Sequence, residues 1–145
     1  MGQLLGRLLA EFRRELLAEA EAHGYGDLRP AHLQITGNVG LRGIRLTQLA
    51  ARAQLSLAAT SELVNELQDL GYLTREPDPT DARAKLILPT PRGRKMLAEA
   101  SAKVVELEQD WAAYTGKRRF EAAMRTLQDV LDATKASGPA KESGS

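Results

Sequence analysis

The sequence contains no cysteine, which excludes disulfides, thiolate metal sites, thiol nucleophiles and cysteine-based redox sensing together. Histidine is nearly absent as well, with only His23 and His32. Their spacing matches no metal-ligand pattern, and neither lies beside a nucleophile elbow. No Walker-type or Rossmann glycine stretch occurs, and Gly24-Tyr25-Gly26 is too short to cradle a nucleotide. Without a convergent set of nucleophile, base or metal ligands, catalysis is not expected, nor a cofactor. Long apolar runs are also missing. Residues 1–22 hold short apolar pairs broken by Arg7, Glu11, Arg13, Arg14, Glu15 and Glu19, unlike a signal peptide or a membrane span. A soluble, cytoplasmic protein without membrane contact is the expectation.

Charge of one sign is scarce too. Twenty Lys plus Arg against nineteen Asp plus Glu leave a formal charge of +1 over 145 residues. The balance is uneven, because residues 41–95 carry nine basic and six acidic groups while both flanks are slightly acidic. Nucleic-acid contact would therefore rest on a few placed cations rather than a polybasic tail. The length suits one domain, with an apolar fraction of 43% that excludes a disordered chain.

Helical segments stand out along most of the chain. Leu5, Leu8, Leu9, Phe12 and Leu16 recur at helical spacing and form one apolar stripe. His23-Gly24-Tyr25-Gly26-Asp27 ends that helix, and Arg29-Pro30-Ala31 can restart one with proline in its first turn. Thr47 is expected to cap a short helix, 48–53, and Ser56 a second one ending near Leu70, where Gly71 supplies a left-handed residue. Leu63, Val64, Leu67 and Leu70 form its buried stripe, with Thr60 at the edge. Two β-prone runs, 72–76 and 85–88, flank a Pro/Asp-rich segment and predict a hairpin with a long loop. Pro89 is expected to shorten the second strand. Thr90-Pro91 starts a helix of roughly 25 residues, about 37 Å long. Its seam of Leu97, Ala100, Val104, Leu107, Trp111 and Tyr114 serves either an intramolecular core or a dimer face, and its length favours the dimer. Gly116 breaks it. A last helix, 117–135, places Phe120, Ala123, Met124, Leu127, Val130 and Leu131 on one face, and residues 136–145 read as a flexible tail.

Residues 46–90 hold the informative unit: short helix, three-residue turn, capped helix and hairpin. Two helices joined by a tight turn match the helix-turn-helix, whose second helix can enter a major groove, and the hairpin makes it a winged version. The first turn of the second helix presents Leu57, Ala58, Ala59, Ser61 and Glu62. Ser61 can donate or accept at a base edge, and Glu62 can accept from a cytosine amino group. Glu62, Glu66 and Asp69 make this helix acidic, so attraction must come from Arg42, Arg45, Arg52, Arg75, Arg83, Lys85, Arg92, Arg94 and Lys95. Arg83, at the loop tip, is placed to enter a narrow minor groove. Asp81 is expected to preset its guanidinium by a charge-assisted bond. The candidate DNA-contact set is Arg45, Thr47, Ser56, Ala58, Ala59, Ser61, Glu62, Arg75, Asp81, Arg83 and Lys85.

These residues carry a resemblance. Leu46-Thr47-Gln48-Leu49-Ala50, Ser56, Leu63-Val64-Asn65-Glu66-Leu67, Gly71-Tyr72-Leu73 and the run Arg75 to Arg83 resemble the MarR (multiple antibiotic resistance regulator) family of winged-helix transcription regulators. Asp78-Pro79-x-Asp81-x-Arg83 followed by Thr90-Pro91-x-Gly93 is its most specific part. The resemblance implies a mainly α fold. Residues 37–90 would form the winged lobe, and residues 1–36 and 91–135 the dimerisation helices, of one domain spanning 1–135. It implies a homodimer on pseudo-palindromic double-stranded DNA, with Ala58, Ala59, Ser61 and Glu62 facing bases and Arg83 at the wing tip. It also implies release by a small aromatic or lipophilic ligand, for which His32, Trp111 and Tyr114 are the candidate lining residues. Leu57 and Glu62 depart from the Arg or polar residues frequent in such recognition helices. Effector-independent DNA binding and a protein-interaction scaffold are the competing readings.

Overall fold

The computed structural model describes residues 1–138, which form six helices and one antiparallel hairpin: α1 (Gly2–Ala22), α2 (His32–Thr36), α3 (Leu46–Ala53), α4 (Leu57–Asp69), β1 (Leu73–Asp78), β2 (Asp81–Pro89), α5 (Pro91–Thr115) and α6 (Lys117–Ala136). Two compact units result, one of residues 1–104 and one beginning at Val105, so that α5 opens in the first and ends in the second.

The core of the first unit gathers Tyr25, Leu28, Ile35, Val39, Ile44, Leu49, Val64, Leu67, Tyr72, Ile87 and Met96, with Leu17 and Ala20 of α1 packed against it. Most of these come from the short helices and the hairpin root, because a five-residue helix and a two-stranded sheet are stable only on a shared core. α4 follows its sequence signals. The Ser56 hydroxyl accepts from the Ala59 amide at 3.1 Å, Val64 and Leu67 are fully buried, and Gly71 takes φ +85° just beyond the helix end. Thr60 departs from its expected edge position: it is fully buried. Its hydroxyl donates to the Ser56 carbonyl at 2.8 Å, so no polar group is left unpaired.

Several boundaries move. α3 begins at Leu46 with Arg45 in the cap position and no side-chain cap, so Thr47 lies inside the helix. Ile44 exchanges both backbone hydrogen bonds with Ile87, at 3.1 and 2.8 Å, which fixes the chain's entry into α3. The turn to α4 closes through Gln54, left-handed at φ 55°. Pro30 sits in the turn before α2 rather than within it. The wing loop is shorter than expected, because β1 and β2 extend to Asp78 and from Asp81 and leave only Pro79-Thr80 between them. Pro77 pairs with Lys85 while Asp78 pairs with Asp81, so Ala82, Arg83 and Ala84 form a bulge in β2. Pro89 does not shorten β2, which runs through it opposite Leu73. Ile87, two residues earlier, turns its amide away from β1 toward Ile44. Pro89 has the same parity, so its missing N–H costs the ladder nothing.

At the root of α5, the Thr90 hydroxyl accepts from the Gly93 amide at 3.1 Å and itself donates to the Gly71 carbonyl. Gly93 lies so close to Tyr72 that a Cβ would stand 2.0 Å from its carbonyl oxygen. The first unit leaves Leu4, Leu5, Leu8 and Leu9 of α1 exposed.

The second unit comprises the end of α5 and α6, separated at Gly116. Leu107 is buried, while Val105, Met124, Leu127, Val130 and Leu131 are exposed. Ala136 ends α6, one residue into the expected tail. Ser137 and Gly138 follow as turn and bend, and the rest of that tail, residues 139–145, lies outside the described residues.

Candidate nucleic-acid interface

α4 is held in a defined rotation. Thr60, Val64 and Leu67 turn inward and are fully buried, which leaves Leu57, Ala58 and Glu62 exposed and Ala59 and Ser61 half-buried at its N-terminal end. Small side chains there permit close approach of a partner's backbone, and helix N-terminal amides favour phosphate.

The acidic character of α4 is partly cancelled within the protein. His32 is buried, and its Nδ1 accepts from the Arg29 amide at 2.9 Å. Nε2 must then carry the ring proton, and it donates to Glu66 Oε2 at 2.7 Å. The Arg29 guanidinium binds the same carboxylate. The hydrogen bond from His32, and then that from Arg29, holds the Glu66 carboxyl below its usual range. Both ring nitrogens of His32 are thus engaged, Nδ1 within the turn before α2 and Nε2 in joining α2 to α4.

The cations divide into two groups. Arg75 donates through Nη1 to Asn65 Oδ1 at 2.6 Å and Gln68 Oε1 at 3.0 Å, so it braces β1 on α4. Arg92 stacks over the Tyr72 ring at 4.3 Å, donates to the Leu70 carbonyl and pairs with Asp27 at 3.5 Å. Asp27 accepts from the Tyr72 hydroxyl. Desolvation by burial, reinforced by that bond, pushes the Tyr72 phenol well up. Arg94 donates to the Leu41 carbonyl at 3.2 Å. Arg45 binds Asp78 Oδ2 through Nε at 3.0 Å and Nη2 at 2.8 Å. Arg42, Arg52, Arg83, Lys85 and Lys95 are exposed, as are the bonded Arg92 and Arg94.

Asp81 does not hold the Arg83 guanidinium. Its Oδ1 accepts from the Arg83 backbone amide at 3.0 Å, the two-residue reach of an Asx turn, and so shapes the bulge while the guanidinium stays exposed. Sequence reasoning passed over Asp78, the buried acceptor at the end of β1, although it opens the Asp-Pro-x-Asp-x-Arg run. Of the candidate ligand-lining residues, His32 belongs to the first unit. Trp111, half-buried, and Tyr114, 81% exposed, belong to the second.

A capped helix pinned on a short partner helix, with a hairpin bonded beside it, defines the winged helix-turn-helix proteins. Residues 27–84 match the model of the MarR family. A Thauera aromatica protein assigned to transcriptional regulation of the hcr operon is 30% identical over 89 residues, 61% of this chain and 51% of that protein. The chain thus spans about half the length of the curated relative it matches. A MarR transcriptional regulator from Methanosarcina mazei Go1 has a similar structure, with a TM-score of 0.77 at 16% identity over 93% of this chain and 96% of that one. So does CouR from Rhodococcus jostii RHA1 bound to p-coumaroyl-CoA, with a TM-score of 0.71 at 25% identity over 89% and 90%. The transcriptional repressor CouR bound to a 23-mer DNA duplex gives 0.68 at 20% identity over 90% and 92%. The chain is of the winged-helix class, and the resemblance to the MarR family drawn from its motif run is borne out over residues 27–84.

Proposed function

We propose that the protein is a sequence-specific DNA-binding transcription regulator, a repressor, acting as a homodimer on pseudo-palindromic operators. The observation that carries this reading is the pairing of α4, its N-terminal turn exposed and its opposite face fixed in the core, with a hairpin that presents Arg83 and Lys85. In this reading Ala58, Ala59, Ser61 and Glu62 face the major groove and Arg83 enters the adjacent minor groove. Half-sites lie about one helical turn, ~10 bp, apart. Dimerisation is supported by the apolar faces left uncovered: Leu4, Leu5, Leu8 and Leu9 in the first unit and Met124, Leu127, Val130 and Leu131 in the second. The seat of action is the cytoplasm; no described helix is long and apolar enough to cross a membrane. The role is regulatory rather than enzymatic.

Release by a small aromatic or lipophilic effector is part of the same proposal, by likeness to CouR and its p-coumaroyl-CoA complex. An effector acts only through different affinities for the DNA-competent and DNA-incompetent states.

Selection of duplexes from a random pool by the purified protein, followed by gel shift with the recovered sequence, tests the reading. A palindromic consensus bound with strong salt dependence is expected. Recovery of no consensus would leave the scaffold reading in its place. Titrating phenols and aromatic acids into the same assay tests effector release.

A further inference from the structure

The hairpin is attached to the helix-turn-helix at its root, where Arg75 also bonds Asn65 and Gln68 of α4, and near its tip. At the root, Ile44 and Ile87 exchange two backbone hydrogen bonds, and Ile87 stands opposite Arg75 in the hairpin. Three residues beyond Arg75, about 10 Å toward the tip at the rise of a strand, Asp78 is buried. It accepts four hydrogen bonds. Oδ1 takes the Thr80 amide and the Thr80 hydroxyl, each at 2.8 Å. Oδ2 takes Nε and Nη2 of Arg45, the residue that opens α3. The Ile44–Ile87 bridge and the Arg75 brace lie at one level of the hairpin, so its outer end could still tilt, and the attachment at Asp78 opposes that tilt. The bulge bearing Arg83 begins immediately across from Asp78, so its direction follows from this bond.

We propose that Arg45 and Asp78 are positioning residues, a strap between the start of α3 and the outer end of β1 that aims Arg83 at DNA, and that Arg45 neutralises no phosphate. This rests on the DNA-binding reading above. It reverses the expectation for Arg45 drawn from sequence, where an arginine next to a helix-turn-helix reads as a phosphate contact. The Arg45 side chain is itself 41% exposed, but its Nε and one Nη are committed to a carboxylate, and the exposed Arg83 lies in the bulge that this bond adjoins.

The two roles have different salt signatures. Losing a phosphate contact lowers the slope of log affinity against log salt by about 0.9. Losing a positioning residue lowers affinity and leaves the slope unchanged. With a duplex selected from the random pool, Arg45→Met is expected to weaken binding about tenfold, the scale of a charge-assisted hydrogen bond, at the wild-type slope. Arg83→Ala is expected to lower both. The double variant should bind no worse than Arg83→Ala alone, because Arg45 acts through Arg83. Asp78→Asn supplies a test of sign. It removes a negative charge, which by electrostatics alone would tighten DNA binding. Asn has one acceptor oxygen for two sets of donors, so the strap predicts weaker binding. Arg45→Lys, which keeps the charge and loses the two-pronged bond, should fall with Arg45→Met; thermal melting of each variant establishes that it is folded. A slope reduced in Arg45→Met, additive losses in the double variant, or tighter binding by Asp78→Asn would each overturn the proposal. If Arg83→Ala itself changed nothing, the wing's contact with DNA would fail first, which distinguishes the two failures.

Discussion

Gly93 shows how one position can constrain the whole wing root. Its Cα approaches the Tyr72 carbonyl so closely that any Cβ would overlap it, and the clash is with backbone, which cannot rotate away. Gly93→Ala is therefore expected to cost ~3 kcal/mol, the upper end of overpacking penalties, and to lower the melting temperature accordingly. In the sequence this glycine was legible only as part of the Thr-Pro-x-Gly run. Arg83 is the counterpart on the functional side. With its guanidinium exposed, Arg83→Ala is expected to leave stability within ~0.5 kcal/mol and to weaken operator binding by ~1–3 kcal/mol. Melting and gel shift on the same preparation check both. Sequence order put Asp81 near that arginine but could not say which of its nitrogens the carboxylate would meet. The backbone amide won, because an aspartate reaches an amide two residues on through a short local turn.

At the scale of elements, caps and turns govern how the helix-turn-helix and the wing are joined. Ser56→Ala removes the acceptor for the Ala59 amide and is expected to cost ~1 kcal/mol, measurable by denaturant titration. The wing has its own pH dependence. Hydrogen bonds from Thr80, and then from Arg45, hold the Asp78 carboxyl down to about 2, against an ordinary 3.8. A depressed folded-state value contributes stability that is fully present above the ordinary value and is lost as pH falls through the folded one. The stability difference between wild type and Asp78→Asn is therefore expected to be constant above about pH 5 and to shrink as pH falls through about 3.8 to about 2. Thermal melts across that window would show it, and a difference still constant at pH 2 would contradict it. The hairpin itself was readable from two β-prone runs around a Pro/Asp-rich segment, but its loop length was not. Whether Asp78 and Asp81 pair depends on who bonds their side chains, and Arg45 lies 33 residues away from Asp78.

For the molecule as a whole, the apolar stripes on α1 and α6 matter most. Both were visible as periodic leucines, and both remain exposed in the single chain. A monomeric soluble protein rarely leaves such faces open. Leu8→Glu and Leu127→Glu are each expected to convert a dimer into monomers and to abolish operator binding with the two-fold lost. Sedimentation equilibrium would record the change. A wild-type protein already monomeric at micromolar concentration would refute the dimer.

Local rules written along the chain determined the helices, the Ser56 and Thr90 caps, the hairpin and the family motif, because capping, periodicity and turn chemistry act between residues a few positions apart. Only the tertiary structure decided which charges are spoken for. Glu66 is paired with Arg29 and accepts a hydrogen bond from His32, from the turn before α2 and from α2 itself, Arg45 is drawn to Asp78, and Arg92 is bound over Tyr72. Those pairings join residues 20 to 37 positions apart, and a partner at that distance is chosen by packing of the core, which no local pattern encodes.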